Sequence, residues 1–390
     1  MATALTVTRR KACAVLGASA CAATIGLTTW SAVCGEQDRI KIGMIAPLTG
    51  ASAEGGHFQV NGARLALDEV NDGGGALGRR VELITEDSQT VNSGAVLAFS
   101  RLVSRGDIAA YISGTPSTAT HALAPDALKA GRPVIMAFAT DPKLTHMGHP
   151  WLFRCRPSDV YSARVIAAFG SIDLGKRKWA IVYSTDVFGT AGMKALSETL
   201  GKTGLEPALI QGYANEQSDF MPVALAVKRA DADVLATFFT RDNDLALFAR
   251  QLREIGVNLP WIGSATLANV TTTRLAGSAL YGTYTVADFA ADASADTLAF
   301  AQRYEQTYKA HPDYFAAAGF DSVKLLARAI NDANNTEPDA LRRAILALRG
   351  FQGAEGEYNF DANGDGRHGY NVVRNDAGKI VFIRHVEFQD

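Results

Sequence analysis

Apolar residues come in short unbroken blocks, and between the blocks they recur every three or four positions. The first block, IKIGMIA at 40–46, stops at Pro47 and reads as a strand. Residues 58–71 place Val60, Ala63, Leu67 and Val70 at helical spacing. Residues 81–87 read as a strand, and 93–103 as a helix with Val96, Phe99 and Val103 on one stripe. Residues 109–113 are apolar again, 117–129 are helical despite Pro125, and 133–139 (PVIMAFA) form another buried strand. Continuous apolar strands alternating with helices predict a parallel sheet covered on both faces.

The pattern then restarts. Residues 178–183 read as a strand, 189–200 and 219–230 as helices, 233–239 (DVLATFF) as a strand and 244–255 as a helix closed by Gly256. Further strands are expected at 261–264 and 281–286, then helices at 295–309, 316–331 and 338–348, then short strands and turns from 356 to 388. Two α/β units of similar plan with a helical return are therefore expected, which suits a chain of 390 residues.

Charge changes the picture at one end. Residues 1–35 carry Arg9, Arg10 and Lys11 and no acid; an apolar or small-residue stretch from 12 to about 29 and a small-residue exit follow. That order describes a cleavable export signal, placing the rest in the periplasm or outside the cytoplasm. Thr8-Arg9-Arg10 also fits the start of a twin-arginine signal, and Cys34 offers a lipidation site, though Ser31 and Val33 suit one badly. A lasting membrane anchor is disfavoured by Gly17, Gly26 and several threonines. Cleavage near Gly35 would remove three cations and take the formal charge from -2 to -5, leaving Cys155 as the only cysteine. An acidic chain of this kind is not expected to bind nucleic acid.

Most motif matches fail on context. Gly73, Gly75 and Gly78 spell the dinucleotide fingerprint, but a helix precedes them and a strand follows, the reverse of what the fold requires. Gly201-Lys202-Thr203 lacks the upstream glycine of a phosphate loop, because position 196 is Leu196. Asp361, Asn363 and Asp365 resemble a calcium loop, yet its twelfth position is Val372, so a polar turn is expected. His146 and His149 have no third ligand nearby and read as a surface loop. No cofactor and no metal is expected. Ser117 and His121 are four residues apart on one helix, without the elbow of a hydrolase nucleophile.

Two loops carry more physical promise. The strand at 109–113 runs into Gly114-Thr115-Pro116-Ser117-Thr118, and the strand ending at Ala139 runs into Thr140-Asp141-Pro142. Both lie at the carboxyl ends of parallel strands, where open α/β sheets bind ligands. Hydroxyls and free helix N-terminal amides suit a carboxylate or another small anion. Ser117 and Thr140 are equally suited to capping their helices.

The order and spacing of several segments resemble the leucine/isoleucine/valine-binding proteins of ABC transporters, the type I periplasmic binding fold. The segments are IKIGMIAPLTG, NGARLALDEVNDGGGALGRRVELITEDSQT, STATHALAPDALKAGRPVIMAFATDPKLT, LFRCRPSD, YSTDVFGTAG, FARQLREIGVNLPWIG and GFDSVKLLARAINDA. The resemblance implies two doubly wound parallel-sheet lobes joined by a three-segment hinge: 38–158 plus 288–366, and 159–287 plus 367–390. It implies ligand capture by lobe closure, a permease partner, action as a monomer and no catalysis. By the same resemblance Ser117 and Thr140, with Thr118 and Ala139 beside them, would hold the ligand carboxylate. Phe188 would cover the ligand, and Asp159 would serve as a hinge or pocket residue.

Two departures bear on the ligand. The acid that pairs with an amino-acid ammonium in the family is replaced by Ala265, and the early first-lobe aromatic by Gly55. Arg241, near where the family carries a tyrosine, would favour another anionic group, with Asp242 or Asp244 available to neutralise it. The expected ligand is a small acid or amide: a branched-chain amino acid, or an aromatic, aliphatic or dicarboxylic acid. The rival readings are a ligand-sensing regulator of the same fold and a hydrolase using Ser117 and His121.

Overall fold

The computed structural model describes residues 39–387. The export signal read at 1–35, with Cys34, lies outside the described residues. The first five strands form one parallel sheet: β1 (Ile40–Ala46), β2 (Val81–Asp87), β3 (Ile108–Ser113), β4 (Val134–Met136) and β5 (Leu152–Arg154), in the order β2-β1-β3-β4-β5. Every β3 residue and all but one of β1 are buried, which is why both read as unbroken apolar runs. One face packs on α1 (Ala53–Asp72) and α11 (Tyr314–Ala333), the other on α2 (Asn92–Ser104) and α3 (Ser117–Ala130). A Cβ on Gly62 would lie 1.9 Å from the Ala316 carbonyl oxygen, so the α1–α11 crossing depends on a bare backbone there.

The second sheet repeats the plan. β6 (Trp179–Ser184), β7 (Leu209–Tyr213), β8 (Val234–Phe238), β9 (Trp261–Gly263) and β10 (Tyr284–Ala287) run parallel in the order β7-β6-β8-β9-β10. Here the structure departs from a purely parallel expectation. β14 (Tyr370–Asp376) adds antiparallel to β10, and β15 (Lys379–Val386) pairs antiparallel with β14. α5 (Asp159–Ala168) and α6 (Val187–Lys202) cover one face; α7 (Met221–Arg229) and α8 (Asp242–Glu254) cover the other. Between β10 and β14, α10 (Ala295–Tyr308), α11 and α12 (Pro338–Ala347) return to the first sheet's core, followed by a small sheet of β11 (Phe351–Gln352), β12 (Glu357–Phe360) and β13 (Gly366–Arg367).

Several boundaries shift for physical reasons. α1 starts at Ala53 rather than 58 because Gly55 and Gly56 pack against Phe315 and the Pro47 carbonyl, a tertiary contact that overrides their low helix propensity. β4 stops at Met136, and past Ala137, whose amide still donates to the Ser113 carbonyl at 2.9 Å, the chain leaves the sheet. The triple-glycine segment is a tight turn, with Gly75 and Gly78 at positive φ. In the 361–365 turn, Asp361 Oδ1 accepts the Asn363 and Asp365 amides at 2.9 Å, while Asp365 is taken by Arg154 at 2.9 Å. Among the described residues no group of three or more ligating side chains is placed to hold a metal ion, and no helix is long and apolar enough to cross a membrane.

Candidate functional site

The carboxyl ends of both sheets converge on a narrow cavity of about 30 Å³. From the first sheet come Ser117, Phe138 and Thr140. A chain of hydroxyls shapes this end: Ser113 meets Thr115 at 2.9 Å, and Thr115 meets Thr120 at 3.0 Å. Ser117 Oγ accepts the amides of Thr140 and Asp141, both at 3.3 Å, and so ties the two loops together. The capping role is not what these residues adopt. Pro116 occupies the N-cap of α3 and Pro142 that of the short helix α4 (Lys143–His146). The serine proton is therefore unspent within the protein, and the Thr140 hydroxyl is buried beside the Asp159 carboxyl.

Asp159 opens α5 and donates its amide to the Thr140 carbonyl at 3.0 Å. Burial pushes its carboxyl up to about 7, against the pull of the Thr140 hydroxyl and Arg154. It lines the cavity, and its Oδ2 has no partner.

From the second sheet come Phe188, Phe239, Thr240 and Ala265. Asp186 caps α6 by accepting the Gly189 amide at 2.9 Å, which fixes the turn that carries Phe188. Phe188 rests edge-on against Phe238 with ring centroids 6.4 Å apart. Ala265 begins a 3-10 turn (Ala265–Ala268) and brings only a methyl group to the wall.

Three candidates stand outside the lining. Ala139 is buried in the first sheet's core. Thr118 Oγ1 instead accepts the Val187 amide at 3.4 Å, joining the start of α3 to that of α6. Arg241 turns to Glu216 at 3.1 Å. Asp242 accepts from the Thr272 hydroxyl at 3.0 Å and Asp244 from the Glu216 amide at 2.9 Å, so neither acid faces the cavity. Burial raises their carboxyls to about 7 and about 6.

Among the lining residues that escaped the sequence reading are Arg156, Asp288, Tyr314 and Tyr370. Arg156 donates to Asp288 at 2.5 Å and to the Phe138 carbonyl at 3.0 Å, and its guanidinium stands 4.6 Å from the Tyr314 ring centre. Burial alone would weaken its hold on its proton; Asp288 beside it raises it well above the ordinary value instead. Asp288 directly follows β10, so the rule that ligands sit at strand carboxyl ends pointed to it. Phe315 fills the space beside Gly55, where the missing early aromatic had been noted.

The hydrolase arrangement is absent among the described residues. His121 Nε2 pairs with Asp141 at 2.5 Å, while Ser117 Oγ is engaged by backbone amides rather than by the imidazole.

Two sheets of like topology whose carboxyl ends close on a single cavity define a two-lobed α/β ligand-binding protein. Comparison with known proteins agrees. The family model described as "Periplasmic binding protein" matches residues 39–379, and the chain belongs to that family. The Leu/Ile/Val-binding protein BraC3 of Rhizobium johnstonii is 28% identical over 346 residues, covering 88% of this chain and 93% of that one. The branched-chain amino acid transporter substrate-binding protein LivJ of Streptococcus pneumoniae, solved with isoleucine, is 25% identical with a TM-score of 0.81, covering 90% of this chain and 100% of that one. A solute-binding protein of an ABC transporter from R. palustris, solved with benzoate, superposes with a TM-score of 0.81 at 21% identity, covering 90% and 98%. The chain is thus of the leucine/isoleucine/valine-binding type, a solute-binding protein and not an enzyme.

Proposed function

We propose that this chain is the exported solute-binding component of an ABC importer, capturing a small carboxylate-bearing ligand between two lobes and presenting it to a permease. The observation that carries the reading is the cavity itself. One wall offers the Ser117 hydroxyl and the N-terminus of α3, which favour an anion; the other offers Phe188 and Ala265, which favour an apolar body. The lobes divide at the crossings near 158, 287 and 366, and hinge motion about them opens and shuts the cavity. Five aromatic rings line it: Phe138, Phe188, Phe239, Tyr314 and Tyr370. Isoleucine and benzoate, the ligands of the two solved neighbours, both pair a carboxylate with a compact apolar body, which supports the same ligand class here. Family membership implies work outside the cytoplasm, and the leader at 1–35 supplies the route.

A thermal-shift screen over amino acids, aromatic, aliphatic and dicarboxylic acids and amides, followed by titration calorimetry, tests the reading. A ligand at 100 times its dissociation constant adds about 2.7 kcal/mol of stability. A screen in which no acid stabilises the protein, or one in which an ester or amide is turned over, overturns it.

A further inference from the structure

The wall of the cavity holds a polar feature that the Ser117–Thr140 loops do not use. Arg156 lies just past β5 of the first sheet, and Asp288 just past β10 of the second. Their ion pair therefore joins two of the segments that run between the sheets. The guanidinium is held on three sides: by Asp288 at 2.5 Å, by the Phe138 carbonyl at 3.0 Å, and by the Tyr314 ring. Arg156 is 5% exposed and Asp288 0%. Even so, Arg156 Nε and Asp288 Oδ1 are both buried with no hydrogen-bond partner.

A buried donor and a buried acceptor on the flanks of one ion pair are costly when left unmade, and native interiors rarely keep them so. Both residues line the cavity, so the cavity's occupant is the natural partner. The pair is neutral as a unit. A second carboxylate on the ligand would accept from Arg156 but be repelled by Asp288, and an ammonium would face the guanidinium. A hydroxyl accepts from Nε and donates to Oδ1, matching both orphaned atoms without adding charge.

We propose that the Arg156–Asp288 pair is a second recognition point, taking a hydroxyl group on the acid whose carboxylate the Ser117–Thr140 loops hold. The proposal rests on the carboxylate-binding reading above and adds the ligand's other polar end. Tyr314 and Phe138, beside the guanidinium, flank the body between the two ends. Tyr314 and Arg156 are specificity residues in this scheme, with no bond made or broken.

The test is calorimetry with matched acids that differ by one hydroxyl: benzoate against 3- and 4-hydroxybenzoate, and isocaproate against 2-hydroxyisocaproate. One hydroxylated member should bind about tenfold or more tightly than its parent, the scale of a hydrogen bond to a charged group. Arg156→Lys keeps a cation beside Asp288 but removes the Nε donor. It should cut that preference to about threefold or less, read as the ratio within each pair whatever the parent acid's own affinity becomes. Ser117→Ala should weaken both members of a pair together. Where a single variant fails to fold, the apolar exchange R156M/D288L, which removes both donor and acceptor, replaces it and should likewise lose the preference. Equal affinities within every pair, or a preference that survives in R156K and R156M/D288L, would overturn the second recognition point and leave the carboxylate reading standing. Failure of every acid to bind the unaltered protein would overturn both.

Discussion

Each sheet carries a serine near its carboxyl end, Ser117 at the start of α3 and Ser184 at the end of β6, and the two serines do different things. In the first sheet, Ser117 Oγ bridges to the loop after β4 by accepting two backbone amides, which leaves its proton to spare. In the second, Ser184 Oγ meets Thr240 at 3.0 Å, Asp186 at 3.0 Å and the Phe238 carbonyl at 3.4 Å, so its capacity is spent inside the lobe. Ser184 is consumed by the second sheet's own architecture, and Phe188, Phe239 and Ala265 bring rings and a methyl group to the cavity beside Thr240 and Asp288. One topology thus yields a hydroxyl-and-amide wall at Ser117 and a wall richer in rings opposite it. The loops decide which, because the strands beneath them are equally buried and equally apolar.

The contrast can be broken first at its framework. Arg154 and Asp365, 0% and 2% exposed, pair at 2.9 Å beside the first sheet's last strand. Arg154→Ala leaves the buried Asp365 carboxylate with only the His146 ring at 3.6 Å and should cost about 3–5 kcal/mol in urea unfolding. The second region's Arg241 is 18% exposed but pairs with Glu216, which is 61% exposed, so Arg241→Ala should cost less than the Arg154 change in the same titration.

The next largest effects are on affinity. Ser117→Ala and Thr140→Ala should each weaken binding by about 1–3 kcal/mol in calorimetry, for acids of any body. Phe188→Ala should cost about 1–2 kcal/mol and do so in proportion to the ligand's apolar size. Losses for the serine variant that track body size instead would erase the division of labour.

A pH series sharpens the comparison further. Asp159 and Asp242 each have a carboxyl raised to about 7 from an ordinary value near 4. In that window the folded protein holds protons that the unfolded chain has released, so stability falls as pH rises from about 4 to about 7. Asp159→Asn and Asp242→Asn should each flatten this slope in urea titrations. Only Asp159 lines the cavity, so saturating ligand should alter the Asp159 share and leave that of Asp242.

The smallest effect concerns a contact between helices of the two regions. Glu54 of α1 and Arg274 of α9 (Val270–Ala276) pair at 2.6 Å on the surface, with side chains 43% and 57% exposed. Glu54→Gln should shift stability by less than about 1 kcal/mol, and the shift should vanish in high salt.

Much of the fold was legible from pattern. β1 and β2 were delimited to the residue because an unbroken apolar run bounded by a proline, or a strand preceded by a glycine turn, leaves little choice. β7 was missed because it is an edge strand with mixed exposure, so its residues show no continuous apolar run. The antiparallel addition of β14 and β15 was hidden because strand direction depends on where the chain returns, which periodicity does not record. At the site, the cavity-lining Ser117 and Thr140 were readable from strand-end placement, while nothing local marks Arg156, whose partner Asp288 lies 132 positions away.

By itself, the amino-acid order determined which segments become strands and helices, that they alternate, and which loops fall at strand ends, because apolar periodicity and turn residues are local properties. Only the tertiary structure decided that Arg156 and Asp288, 132 positions apart, meet in one wall. It also sent Arg241 to Glu216 and set Phe315 in the space beside Gly55. Charge pairing and ring packing act through space, and their partners are chosen by how the two sheets are brought together.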